Sequence, residues 1–227
     1  MSLRNANAKA ASEQDTTPEQ ETTLKRDDAA TSAPENLVAR SAGDLSYAFR
    51  RLSQSTELGC DTETAGFSSK KCRLLSVQLS DGKFSVLVPT CEGVALGPLA
   101  QLLESADYLK IFHNAKFDLR FLFESGYRVR RVFDTMLAEK LITRGADQSA
   151  SLAETLYRYF AVDLDKSQRQ KFASRGWDGR WTPELVDYAL ADVIHLPELK
   201  RQQEAWLERL GLKREYAQRV AKMLSSK

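Results

Sequence analysis

The sequence predicts an α/β fold: a mixed central sheet of three antiparallel strands followed by parallel ones, flanked by helices. Three observations lead there. Apolar runs of strand character at Glu57–Asp61, Arg73–Leu79 and Phe84–Pro89 are separated by the turn signals Ala65-Gly66 and Asp81-Gly82, connections short enough for an antiparallel meander. From about Leu96 helical and extended stretches alternate, which calls for right-handed crossovers and parallel strands. The 227 residues give room for one domain with a solid core and a tail.

The tail comes first. Residues 1–36 contain no aromatic side chain and are dominated by Ala, Thr, Glu, Gln, Ser and Asp, a composition that buries too little apolar surface to offset ordering. They are read as a disordered leader, and residues 37–227 as the folded domain. Acidic residues argue against a transit peptide, the lack of an apolar run against a signal peptide, and no stretch approaches the length of a membrane span. Cys60, Cys72 and Cys91 are odd in number and form no C-x-x-C pair, which disfavours a disulfide framework or a structural zinc site. A soluble, cytoplasmic protein with no membrane partner is the expectation. The leader carries a net charge of −3 within a chain of +2, leaving about +5 on the domain and modest support for a polyanionic partner.

Within the domain, Ser41–Gln54 reads as a helix with Leu45, Phe49 and Leu52 on one face. After the meander come a helix near Leu96–Glu104 and a strand near Tyr108–Phe112. The chain breaks at His113-Asn114 and enters a helix over Ala115–Ser125. A short strand at Arg131–Phe133 precedes helices beyond Asp134. Thr182 is placed to cap a helix that Pro183 begins and that runs to about Leu210, with Gly211 as its terminator. Little chain remains after it for a further domain.

Four carboxylates stand out on this scaffold. Asp61 and Glu63 are two apart at the end of a strand and therefore point the same way. Two like charges sharing one place need a proton or a cation between them, and hard oxygen ligands suit Mg²⁺ or Mn²⁺. An isolated Asp-x-Glu is more often a strand ending in a polar turn. Asp118 lies in the first turns of its helix, where an acid is also favoured by the helix dipole. Tyr188 and Asp192 are four apart and share a helix face. Asp61, Glu63, Asp118 and Asp192 together, with Tyr188 a turn before the last, form the constellation a two-metal phosphodiesterase needs.

The combination is similar to that of the 3′-to-5′ exonucleases of the ribonuclease D and DNA polymerase I proofreading type. The stretches that carry the resemblance are Asp61-Thr62-Glu63-Thr64, His113-Asn114-Ala115-Lys116-Phe117-Asp118 and Tyr188-Ala189-Leu190-Ala191-Asp192, with Phe133–Ala138 and Leu164–Arg169 between. Another branch of that superfamily carries a histidine five residues before the last aspartate; here that position is Asp187, so the tyrosine branch is the better match. The resemblance covers roughly Asn36–Arg209 and implies a ribonuclease H-like fold. It also implies that Asp61 bridges two divalent cations, that Glu63 and Asp192 complete the nucleophile side, and that Asp118 supports the other cation mostly through water. Tyr188 would orient the attacking water; with a reference pKa of about 10 it is a poor bulk base.

For substrate, the resemblance implies that Thr64, Phe67 and Asn114 hold the terminal nucleotide, Phe67 standing where a leucine wedge is usual. Phe67 as a loop-anchoring core residue is the competing reading. Lys166, Arg169, Lys171, Arg175 and Arg180, interleaved with Trp177 and Trp181, form either a path for a single strand or a solvated loop closed by tryptophans. The expected activity is release of nucleoside monophosphates from single-stranded or frayed 3′ ends, DNA slightly favoured over RNA. The alternative is a nuclease-like module that binds nucleic acid or a protein partner. Such a module is expected to have lost metal ligands, whereas all four carboxylates and the tyrosine are present here.

Overall fold

The computed structural model of the protein describes residues 34–144, 146–164 and 179–225. The leader reading for residues 1–33 and the residues Lys166, Arg169, Lys171, Arg175 and Trp177 lie outside that set. The described chain forms a six-stranded sheet of β1 (Glu35–Val38), β2 (Glu57–Thr64), β3 (Leu74–Ser80), β4 (Phe84–Val88), β5 (Leu109–Phe112) and β6 (Val132–Asp134), in the spatial order β1-β4-β3-β2-β5-β6. The meander β2-β3-β4 is antiparallel, and β5 and β6 add to β2 in parallel. This is the ribonuclease H-like layout, with β2 in the interior of the sheet.

Helices cover both faces. On one face α1 (Ala42–Leu52), α2 (Leu99–Glu104) and α3 (Ala115–Glu124) bury Leu45, Ala48, Leu52, Leu99, Leu102, Leu103 and Leu122 against Leu58, Cys60, Val77, Leu79 and Phe84. On the other lie α4 (Thr135–Ile142), α5 (Leu152–Phe160), α6 (Pro183–Ile194), α7 (Leu196–Arg209) and α8 (Lys213–Ser225). Their core joins Leu141, Leu156, Leu185, Ala189, Val193 and Leu199 to Leu75, Leu87, Ile111 and Phe133. Alternation along β2 thus sends Leu58, Cys60 and Thr62 to the first face and Gly59, Asp61 and Glu63 to the second.

The structure departs from the sequence reading at four places. β1 had no counterpart, and Glu35 and Asn36 were given to the leader; the strand is four residues long with only Leu37 and Val38 apolar, too short for periodicity to register. It exists because the edge of β4 needs a partner: Glu35 through Val38 pair in parallel with Phe84 through Leu87. β2 continues to Thr64, so Glu63 sits on the strand and not beyond it. The helix expected over 183–210 is two helices meeting at His195. Pro197 causes the break, since it cannot donate to the carbonyl of Val193 and its ring crowds that position. Finally, α8 follows Gly211 where the sequence assigned nothing.

Candidate active site

Asp61 and Glu63 project from the second face of β2, beneath α6, which crosses β2, β3 and β4. Thr182 caps α6 through its side chain, accepting from the Leu185 amide at 3.4 Å, and Pro183 takes the first turn. This fixes where Tyr188 and Asp192 emerge. One carboxylate oxygen each from Asp61, Glu63 and Asp192 lies within 4.8 Å of the others. An all-carboxylate set at that spacing has the donor chemistry for a hard divalent cation. Burial, with the negative charges of Asp118, Asp192 and Glu63, raises the Asp61 carboxyl well above the ordinary range.

Asp118 is outside that group of three. It comes from α3 on the first face, is 2% exposed, and accepts a 2.6 Å hydrogen bond from the Thr62 hydroxyl. Burial pushes its carboxyl up to about 7, against the lowering effect of the Thr62 bond. It remains close enough to Asp61 for its charge to be the largest of the neighbouring carboxylate effects there. Thr62, which the sequence reading passed over, is therefore the hinge between the two faces. Its alternation with Asp61 and Glu63 was the available signal.

A second residue passed over is Asp134. Its carboxylate accepts from the amides of Asn114 (3.2 Å), Ala115 (3.0 Å) and Leu137 (3.0 Å), so one side chain caps α4 and holds the start of α3. Asn114 needs that hold, being in the left-handed region at φ 71°. An aspartate directly before a helical stretch was the signal. Behind it, the Tyr216 hydroxyl accepts from the Asp134 amide at 2.7 Å. His113, whose ring burial drives down to about 4, is neutral. Its Nε2 donates to the Ala150 carbonyl (3.0 Å), and its Nδ1 lies 2.9 Å from the Thr135 hydroxyl, whose hydrogen is shared with the Phe112 carbonyl at 3.1 Å.

The substrate-side residues are placed as follows. The Thr64 hydroxyl donates to the Gly66 carbonyl at 2.8 Å and shapes its own turn. Phe67, on that turn, is 80% exposed and meets the Phe117 ring edge-on at 6.5 Å, so it is not a buried anchor. Asn114 is exposed at the start of α3. Trp181 is buried in the second core. Among the described residues no helix is long and apolar enough to cross a membrane.

A third residue missed at the sequence level is Gln78. It pairs across β3 with Asp61, as Ser76 pairs with Glu63, and is fully buried.

Comparison with known proteins agrees with this geometry. Residues 38–205 match the family described as 3′-5′ exonuclease. The ribonuclease D of Gluconacetobacter diazotrophicus is 29% identical over 181 residues, 78% of this chain and 44% of that protein. DNA polymerase I of Aquifex aeolicus is 29% identical over 171 residues, 75% of this chain and 27% of that one. The chain thus spans less than half the length of these relatives. Among solved structures, Brucella melitensis NrnC bound to pGG superposes with a TM-score of 0.67 at 25% identity, covering 84% of this chain and 88% of that one. With three carboxylates converging on the interior strand of a ribonuclease H-like sheet, and the family match running through all of them, the chain belongs to the 3′-5′ exonuclease family.

Proposed function

We propose that the protein hydrolyses phosphodiester bonds one nucleotide at a time from the 3′ end of single-stranded or frayed nucleic acid, releasing nucleoside monophosphates. The observation that carries this reading is the convergence of Asp61, Glu63 and Asp192 within 4.8 Å in a chain of this family. The carboxylates would hold two divalent cations, Mg²⁺ or Mn²⁺, whose chemistry would be to acidify a water and neutralise charge at phosphorus and the leaving oxygen. Asp61, Glu63 and Asp192 hold that charge in place, and Asp118 supports it from the far side of β2. Tyr188 orients the attacking water by hydrogen bonding. Phe67, exposed beside Phe117, offers a face on which a terminal base stacks, and Thr64 and Asn114 are assigned to hold the same nucleotide. Lys166 and Arg169 provide cations for the phosphates upstream. The likeness to a nuclease bound to pGG supports very short oligonucleotides as substrates alongside longer strands.

The test uses matched 5′-labelled DNA and RNA oligonucleotides, and pGG, with Mg²⁺, Mn²⁺ or chelator. A metal-dependent ladder shortening from the 3′ end is expected. It should vanish in Asp61→Ala and slow by about 10²-fold in Tyr188→Phe, the lower end of what a positioned proton-handling group contributes. Intact substrates under every condition would instead favour a binding module. Full activity in Asp61→Ala would remove the carboxylates from the mechanism.

A further inference from the structure

The carboxamide of Gln78 is fully buried and only half satisfied. Its Nε2 donates to the Ser76 hydroxyl at 2.6 Å, while its Oε1 has no hydrogen-bond partner among the described residues. Leaving such an acceptor buried without a donor costs about 1–3 kcal/mol, so a buried amide oxygen of this kind calls for an explanation.

Its surroundings supply one. In the antiparallel β2–β3 ladder Asp61 faces Gln78 and Glu63 faces Ser76, and residues directly opposite share a face with Cβ atoms about 4.5–5.5 Å apart. The Gln78 side chain turns toward Ser76, so it lies alongside the pair of carboxylates and beneath α6, the helix that delivers Asp192. A bound cation holds Asp61, Glu63 and Asp192 ionised, and ionised carboxylates are acceptors only, so in the metal-bound site none of them satisfies Oε1. No described residue donates to it, and beside acidic side chains a bound water is the donor such a buried polar atom takes. Waters bound to a divalent cation are strong donors because the cation polarises them.

We infer that Gln78 Oε1 accepts a hydrogen bond from a water carried by the divalent cation at Asp61, Glu63 and Asp192, which makes Gln78 a positioning residue for the hydrated metal. The inference rests on the proposed function in one respect, that those carboxylates bind a cation. With Nε2 on the Ser76 hydroxyl, it is Oε1 that is left to be presented, and the Gln78→Met and Gln78→Glu variants distinguish that orientation from its flip. The strand partner of the ligand strand thus takes part in metal binding without touching the metal.

The experiment measures Mn²⁺ binding directly by titration calorimetry of the intact protein, with melting curves in chelator alongside. Gln78→Met keeps the shape and removes the acceptor; it is expected to weaken Mn²⁺ binding about tenfold or more, the usual effect of losing a partner behind the ligands, with the chelated melting temperature unchanged. Gln78→Glu retains an acceptor and lacks the N–H groups, and is expected to bind Mn²⁺ as tightly as the parent or tighter. Parent-like affinity in Gln78→Met overturns the inference and leaves a metal-independent buried water as the partner. A Gln78→Glu variant as weak as Gln78→Met also overturns it, because the amide would then act as a donor to a carboxylate. If the parent binds no Mn²⁺, or binds it equally well as Asp61→Asn, the metal-site reading beneath the inference falls with it.

Discussion

Asp118 shows how one buried side chain couples proton and cation. Its folded-state pKa of about 7 lies above its ordinary value of 3.8, so the folded protein holds a proton that the unfolded chain has released. Stability contributed by that proton is full below about pH 4 and is lost as pH rises toward 7. Replacement by asparagine removes the charge and keeps an oxygen for the Thr62 hydroxyl. In chelator, the melting temperature of Asp118→Asn relative to the parent should therefore grow between pH 5 and pH 8. A difference that stays flat over that range would mean Asp118 is not held protonated. His113 pulls the other way in the parent, since its pKa of about 4 makes acid destabilising, but it is common to both proteins and drops out of the comparison. Asp61, Glu63 and Asp192 were legible in the sequence because each sits at a spacing that periodicity interprets. Gln78 and Thr62 were not, since their importance lies in what faces them across a strand or a sheet.

The junction of α6 and α7 carries a requirement that neither helix shows alone. Gly59 on β2 lies under it, and a Cβ added there would come within 2.4 Å of the Val193 carbonyl oxygen and 3.1 Å of the Leu196 Cβ. The carbonyl is the one to which Pro197 cannot donate; the amide of His195, the cap of α6, points to it instead. Gly59→Ala should destabilise the protein by about 1–3 kcal/mol, the range for forcing extra volume into a packed core, as read from the midpoint of denaturant unfolding at unchanged slope. A neutral result would show that the junction can slide. The element boundaries in the sequence were recoverable wherever a cap or turn residue marked them, as at Thr182-Pro183, Gly211 and Asp81-Gly82. Pro197 was also visible, but it stands in the middle of an otherwise continuous helical pattern over 183–210, where a kinked helix and the first turn of a new one look alike.

At the scale of the molecule, the layering among the described residues of three helices on one sheet face and five on the other follows from apolar patterning that the sequence displays plainly. The strand that completes the sheet does not, because β1 is defined by what it covers. It pairs along β4 and is tied back to α1 by Glu35, which accepts from the Tyr47 hydroxyl at 2.8 Å and from Arg51 at 2.6 Å. These exposed contacts are individually weak. Removal of residues 1–38 should uncover the edge of β4, lower the melting temperature and shift the protein to larger species in size-exclusion chromatography; removal of residues 1–33 alone should do neither. The contact between Gly59 and Val193 has a different reach. Gly59 is two residues from Asp61, and Val193 immediately follows Asp192, so the point where helix and strand touch is also the datum from which both carboxylates are measured. Displacement elsewhere in the molecule, in loops or outer helices, does not enter the gap between them, which is gauged locally at that contact.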